Sequence, residues 1–156
     1  MSEHRYVTSD VFTDRAFGGN HLAVFPDATG IPDDLLLTIA REFNFSETTF
    51  CYPPENPANA ARVRIFTPGS ELQFAGHPTV GSAIALCTLG LVGASKGESE
   101  IVLARDGQEQ FIGNVRRVGE NRELVSSERA IGEDVVRHIA VFGHQRYCST
   151  SITGRP

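Results

Sequence analysis

The stretch that decides the fold reads RIFTPGSELQFAGHPT and runs from Arg64 to Thr79. Its first residues complete an alternating strand that ends at Phe66, and Pro68-Gly69 predicts a turn into a second short strand. A loop of small residues then brings His77 and Thr79 to the start of a helix. Because backbone N–H groups at a helix start are unpaired and point outward, this end of the helix favours an anion.

A candidate catalytic carboxylate, Glu47, lies earlier in the chain, inside the segment Ser46–Phe50 at the start of another predicted strand. If the fold joins Glu47 to the helix start, the pair can move a proton on an anionic small molecule. The alternative interpretations stay open: Glu47 is equally an ordinary surface residue of a strand, and His77 equally a residue that caps or packs the helix.

The composition is that of an ordinary soluble protein with one real core: 156 residues, 40% hydrophobic and 21% charged. The net charge of −5 disfavours a nucleic-acid partner. No apolar run approaches a membrane span and no leader pattern opens the chain, so we expect no membrane partner and a cytoplasmic location. The three cysteines and the histidines show no metal-ligand spacing, which predicts no metal site and incidental thiols.

Periodicity and turn signals predict the order of elements along the chain. The predicted strands are Tyr6–Phe12, His21–Phe25, Thr48–Tyr52, Ala61–Phe66, a short one at Leu72 and Phe74, and a closing hairpin of Ile101–Ala104 with Gln110–Val115 about Asp106-Gly107. The predicted helices begin at Pro32 and end near Asn44, run from Pro78 to Leu89 with Gly90 as the stop, and run from Ile131 to Phe142.

The helix Pro78–Leu89 carries no charged residue, and its only polar side chains are the small hydroxyls of Thr79, Ser82 and Thr88. A helix with no charged face is usually buried. We therefore expect this helix to lie in the middle of the domain.

Three ordered blocks, Asp10–Asn20, Arg41–Phe50 and Arg64–Thr79, resemble the PhzF-like (phenazine-biosynthesis) isomerase family. The resemblance covers roughly the first 115 residues. It implies a diaminopimelate epimerase-like fold, in which two like-built α+β halves each wrap a curved sheet around a central helix and the active site lies between them.

The resemblance also implies proton transfer without a cofactor, with Glu47 as the catalytic acid/base. The substrate-binding residues that it implies are Asn20, Ser46, Gly76, His77, Pro78 and Thr79. Epimerase relatives place a cysteine near this helix start, whereas this chain has Gly76-His77 there. A racemase that uses two cysteines is therefore disfavoured.

The chain departs from the family in its second half. Family members are nearly twice as long and carry an Asp-Pro-x-Thr-Gly-Ser-type motif there, and Ser151–Gly154 lacks its aspartate and proline. We therefore predict an N-terminal domain of residues 1–118, followed at 119–156 by an incomplete second domain or an irregular tail. In such a half, the sheet edge and the apolar surface that normally face the second half are uncovered. Exposed edges and apolar patches favour pairing, which predicts a homodimer.

Two functions stay open at this point. One is an isomerase or epimerase that acts on a small carboxylate-bearing metabolite. The other is a catalytically inactive half-domain that serves as a ligand-binding or oligomerisation module.

Overall fold

A computed structural model describes residues 4–13, 17–92, 98–105, 108–118, 123–129, 137–141 and 145–146. Two helices lie in these ranges, α1 (Asp33–Phe43) and α2 (Gly76–Thr88). The strands are β1 (Val7–Val11), β2 (Asn20–Phe25), β3 (Glu47–Tyr52), β4 (Ala61–Phe66), β5 (Glu71–Leu72), β6 (Glu98–Arg105), β7 (Gln108–Val118), β8 (Glu123–Arg129), β9 (Arg137–Val141) and β10 (Gln145–Arg146).

Within these ranges the strands form one mixed sheet in the order β10-β1-β2-β3-β4-β6-β7-β8-β9, with β5 paired to β4. β2 and β3 are parallel, as are β4 and β6, and the remaining pairs are antiparallel. α2 contacts β1 and β2 on one side and β7 and β8 on the other, so the sheet curves around it. The predicted α+β class, with a sheet wrapped around a central helix, is confirmed.

Alternate residues of the strands face two separate apolar cores. One face packs against α2 through Leu22 and Val24 of β2, Cys51 of β3, and Val63 and Ile65 of β4. The opposite face packs against Leu36 and Ala40 of α1 through a group of aromatic rings, Phe25, Phe50 and Phe66. Because side chains alternate along a strand, β3 presents Glu47, Thr49 and Cys51 to the α2 side.

α1 has the boundaries that its sequence predicts. Pro32 is the N-cap residue, and Asp33 and Asp34 stand in the first turn, where negative charge favours the helix. Asn44 ends the helix in the left-handed conformation, with φ of 50°.

α2 is buried from Pro78 to Cys87, which confirms the predicted central position. A Cβ on Gly81 would stand 2.4 Å from Leu22 Cδ2 and 2.8 Å from Val11 Cγ2. The absence of a side chain at Gly81 therefore lets α2 lie directly on β1 and β2. The helix begins at Gly76, two residues before the predicted start, and Gly90 follows its end with φ of 72°.

The remaining predicted elements have mixed outcomes. The first hairpin and the β6–β7 hairpin are confirmed, while the turn at Asp106-Gly107 lies outside the described residues. Phe74 is exposed and lies beyond the end of β5, so its predicted place in the strand is wrong.

The predicted helix Ile131–Phe142 is wrong over residues 137–141, which form β9 and pair with β8. Residues 131–136 and Phe142 lie outside the described ranges. A short apolar segment fits both periodicities, and here the available strand edge of β8 decides in favour of β structure. β8 to β10 pair with the sheet beyond residue 118, whereas the division into residues 1–118 and 119–156 stays a prediction.

Ile84→Asp tests the central position of α2. Ile84 is 4% exposed inside the α2 core, so the substitution buries a charge without a partner. We expect the free energy of unfolding to fall by at least about 3 kcal/mol in chemical denaturation. The control, Leu35→Asp, changes a residue of α1 that is 45% exposed, and it should cost no more than about 1 kcal/mol. Equal stability of the two variants would contradict the buried position of α2.

Candidate active site

The two predicted site groups of greatest interest, Glu47 and His77, meet in the structure. Glu47 begins β3 and His77 is the second residue of α2, and His77 Nε2 lies 2.9 Å from Glu47 Oε2. Their side chains are only 15% and 12% exposed. The structure therefore joins a carboxyl and an imidazole, two of the common acid/base groups, in direct contact.

Buried polar contacts fix α2 along β3 and so set this distance. Ser82 Oγ of α2 donates a hydrogen bond of 2.9 Å to Thr49 Oγ1, which lies two residues after Glu47 on the same face of β3. Thr49 Oγ1 in turn donates to the carbonyl oxygen of Ala23 on β2, at 3.3 Å. With the approach of Gly81 to β2, these bonds limit sliding of the helix over the sheet.

Burial shifts the two acid/base groups in opposite directions. It raises the pKa of Glu47 above its ordinary value, because the ionised carboxylate loses hydration. It lowers the pKa of His77 for the same reason, and a hydrogen bond with the backbone of His21 partly opposes that change. The proton affinities of the two groups are thereby brought closer together, which favours passage of a proton between them.

The contact requires a proton. Glu47 Oε2 and His77 Nε2 are both buried, and within the described part of the chain neither has a hydrogen-bond partner, so their 2.9 Å contact is an ion-pair distance without hydrogen-bond geometry. An ionised carboxylate facing an unprotonated Nε2 would oppose two lone pairs at 2.9 Å. Since Nε2 faces Glu47, we assign the hydrogen bond with the His21 backbone to Nδ1.

The start of α2 supplies free backbone donors beside this pair. Ala75 precedes the helix in an extended conformation without a side-chain cap, and the first turn holds no acidic residue. Pro78 has no N–H group, and the N–H of Thr79 points to the carbonyl oxygen of Ala75 at 3.4 Å. The N–H groups of Gly76 and His77 are therefore the ones that an anion can meet.

The other predicted substrate-binding residues occupy different environments. Ser46 is exposed and directly precedes Glu47. Asn20 is exposed at the start of β2, opposite Val11, and its neighbour His21 provides the backbone contact with His77. Pro78 and Thr79 are buried, and the Thr79 hydroxyl donates to the Ala75 carbonyl at 2.7 Å. Binding of substrate by these residues stays a prediction.

Three residues around the pair were not among the predicted site residues. Asp10 Oδ1 lies 3.5 Å from His21 Nε2, and the Phe12 ring stands edge-on to the His77 ring with centroids 6.5 Å apart. Asp10 and Phe12 belong to a motif block that the sequence displays, but no spacing rule links Asp10 to His21 or Phe12 to His77. The pairing of β1 with β2 places Asp10 opposite His21.

The described residues offer neither a metal centre nor a reactive thiol. Searched over these ranges, His, Cys, Asp and Glu form no group of three or more that could hold a metal ion. Cys51 and Cys87 are buried, and burial raises the pKa of Cys51 to about 12, so its thiol stays protonated. Cys148 lies outside the described residues. No helix in these ranges is long and apolar enough to cross a membrane.

Comparison with known proteins identifies the family. The model of the family described as phenazine biosynthesis-like protein matches residues 9–120, which include both Glu47 and His77. The chain belongs to this family. The predicted resemblance is thus confirmed, over a segment that begins within β1 and holds β2 to β7 and both described helices.

Curated relatives and solved structures agree with this assignment. An uncharacterized isomerase of Mesorhizobium japonicum is 54% identical over 89 residues, which are 57% of this chain and 30% of the relative. The trans-2,3-dihydro-3-hydroxyanthranilate isomerase of Pseudomonas aeruginosa is 48% identical over 83 residues, 53% of this chain and 30% of that enzyme. A phenazine biosynthesis protein of the PhzF family from Bacillus anthracis superposes with a TM-score of 0.69 at 28% identity, covering 83% of this chain and 41% of that structure.

The raised pKa of Glu47 predicts how stability depends on pH. A folded-state pKa above the unfolded value stabilises the fold at low pH, and this contribution is lost as pH rises through the folded pKa. Glu47→Gln removes the titration, while its amide N–H can still donate to His77 Nε2. We therefore subtract the free energy of unfolding of Glu47→Gln from that of the unaltered protein, both measured in urea. This difference should be smaller at pH 8 than at pH 4.

Glu42→Gln, on the exposed surface of α1, controls for the loss of one negative charge. If the stability difference between Glu47→Gln and the unaltered protein does not change between the two pH values, the carboxyl of Glu47 is not desolvated by the fold.

Proposed function

We propose that this chain carries the acid/base centre of an isomerase that moves a proton between two carbons of a small carboxylate-bearing metabolite, without a cofactor. Glu47 is the group that removes and returns the proton. The observation that carries the proposal is the 2.9 Å contact of Glu47 with His77 in a site that is mostly screened from water. A carboxyl with a raised pKa has the proton affinity that a base for a weakly acidic C–H bond needs.

The two carboxylate oxygens of Glu47 have separate tasks in this proposal. Oε2 stays bound to His77, while Oε1 takes the proton from carbon and the C–H electron pair passes into the unsaturated acid. The same carboxyl then returns a proton to another carbon of the substrate. The overall reaction therefore relocates one proton and one double bond, and nothing else is gained or lost. A protonated His77 beside the site would stabilise the negative charge that develops in between.

The start of α2 supports a substrate that carries an anionic group. The N–H groups of Gly76 and His77 are uncapped and stand beside the acid/base pair. A carboxylate bound there gains two charge-assisted hydrogen bonds and the favourable field of the helix. Binding at this end would hold a short substrate with its reacting carbon near Glu47, which is how orientation lowers a reaction barrier.

The named relatives suggest the chemical class of the substrate. Trans-2,3-dihydro-3-hydroxyanthranilate, named for the Pseudomonas aeruginosa relative, is a small unsaturated ring acid, and we propose a substrate of that kind for this chain. The matched segment covers 30% of that enzyme. This partial coverage favours a second candidate, a module that binds such a ligand or a partner chain without turning the ligand over.

Exchange of substrate protons with deuterium oxide separates the two candidates. The 156-residue protein is incubated with trans-2,3-dihydro-3-hydroxyanthranilate in deuterium oxide, and incorporation is followed by mass spectrometry. We expect Glu47→Gln to lower the rate by at least about 100-fold, because glutamine keeps the shape but accepts no proton. Glu42→Gln should retain the full rate and so controls for the loss of charge, while a lowered rate in Glu47→Gln prepared in the same way excludes a contaminating host enzyme.

A Glu47→Gln variant that keeps most of the exchange rate would remove Glu47 from the mechanism. Binding of the acid without exchange in the unaltered protein would favour the non-catalytic module. Homodimer assembly and a cytoplasmic location stay predictions.

A further inference from the structure

Phe12, directly after β1, combines an unfavourable backbone with an exposed aromatic ring. Its φ is 64°, in the left-handed region that a bulky side chain rarely occupies. The side chain remains 37% exposed, so the ring does not obtain the full burial that would offset this cost. Strain of this kind persists where the surrounding structure enforces it, and it clusters at functional sites.

Contacts on both sides of Phe12 enforce its backbone conformation. A Cβ on Gly19 would stand 2.4 Å from the carbonyl oxygen of Val11, so the strand end and the following loop approach each other as only glycine permits. On the far side of the loop, Asp10 Oδ2 accepts a hydrogen bond of 2.8 Å from the N–H of Phe17. Neither contact involves the Phe12 ring, so the backbone is held independently of where the ring lies.

The enforced conformation directs the ring of Phe12 to His77. The two rings meet edge to face, with centroids 6.5 Å apart and planes inclined by 67°. Among the residues that the structure describes, the carboxyl of Glu47 from β3 and the backbone of His21 from β2 face His77. Phe12 adds an apolar group from the end of β1 to these polar ones.

We propose that Phe12 is a positioning and specificity-determining residue, whose ring forms the apolar wall of the site beside His77 and contacts the apolar face of the bound substrate. The proposal rests on the proposed function of the Glu47–His77 pair. The wall keeps water from the pair and leaves the partly exposed side of the ring available to the substrate. An aromatic ring offers a large apolar contact surface, which suits the unsaturated part of a ring acid.

The test is the substitution Phe12→Gly, because glycine adopts a φ of 64° without strain. The matched control is Phe17→Gly, since Phe17 has a φ of 63° in the same loop and is 72% exposed. Both changes relieve the same backbone strain, and we expect both variants to remain folded, which circular dichroism checks. A ring contact with His77 is described for Phe12.

The first measurement is the titration of the His77 ring by NMR, with its signal assigned through His77→Gln. In Phe12→Gly, water reaches the ring, and the pKa of His77 should rise toward its ordinary value of about 6.5. Phe17→Gly should leave the pKa of His77 unchanged. If the pKa of His77 is unchanged in Phe12→Gly, or rises equally in both variants, the Phe12 ring does not form an apolar wall beside His77.

The second measurement is the deuterium exchange of trans-2,3-dihydro-3-hydroxyanthranilate. Phe12→Gly should raise the KM by at least about tenfold, and Phe12→Leu, which restores an apolar side chain, should recover part of that loss. An unchanged KM in Phe12→Gly would contradict the proposed contact between the Phe12 ring and the substrate. Failure of the unaltered protein to exchange would count against the proposed function, whereas the His77 titration tests the wall without any turnover.

Discussion

The close packing of α2 on the sheet is the constraint on which the rest of this structure depends. From Pro78 to Cys87 the helix has no charged side chain and is buried over ten consecutive residues. It lies so near β1 and β2 that Gly81 admits no side chain, and the Ser82 hydroxyl reaches Thr49 of β3. Packing of this density leaves one position for the helix, and the position of its first turn follows. His77 contacts Glu47 because the close packing at Gly81 and Ser82, further along α2, fixes the position of the first turn.

The acid/base pair uses the same burial that stabilises the fold. Screening from water raises the pKa of Glu47 and lowers that of His77, so two groups that would differ widely in water become nearer in proton affinity. Neither shift needs an additional charged residue. The carboxyl and the imidazole lie at the end of the α2 core, and the apolar side chains behind them provide the low dielectric. Stability and proton chemistry therefore share one physical origin here, which is removal of water from one face of the sheet.

Local patterns predict much of this architecture and little of its site. The alternation in residues 61–66 and the uncharged run from Pro78 to Leu89 are strong signals, and both elements form as expected. The segment around Ile139 fits the periodicity of a helix and of a strand alike, and it forms a strand because it pairs with β8. Glu47 and His77 are each predicted at the start of an element, but the 2.9 Å distance between them depends on a tertiary contact that no local pattern shows. The left-handed conformation of Phe12 leaves no trace in sequence, because it is imposed by Gly19 and Asp10 across the hairpin rather than favoured by phenylalanine.

The first residue of β3 is a position that suits the acid/base role proposed for Glu47. Two residues further along the same face stands Thr49, which is fully buried between α2 and β2 and satisfied by two hydrogen bonds. A carboxyl at that position would meet the desolvation penalty without access to a substrate, and it would remain protonated or disrupt the core. One residue earlier, Ser46 is exposed, and a carboxyl there would keep an ordinary proton affinity. Only the strand end combines partial desolvation with an open side, and the helix start that carries His77 lies at the same level of the sheet.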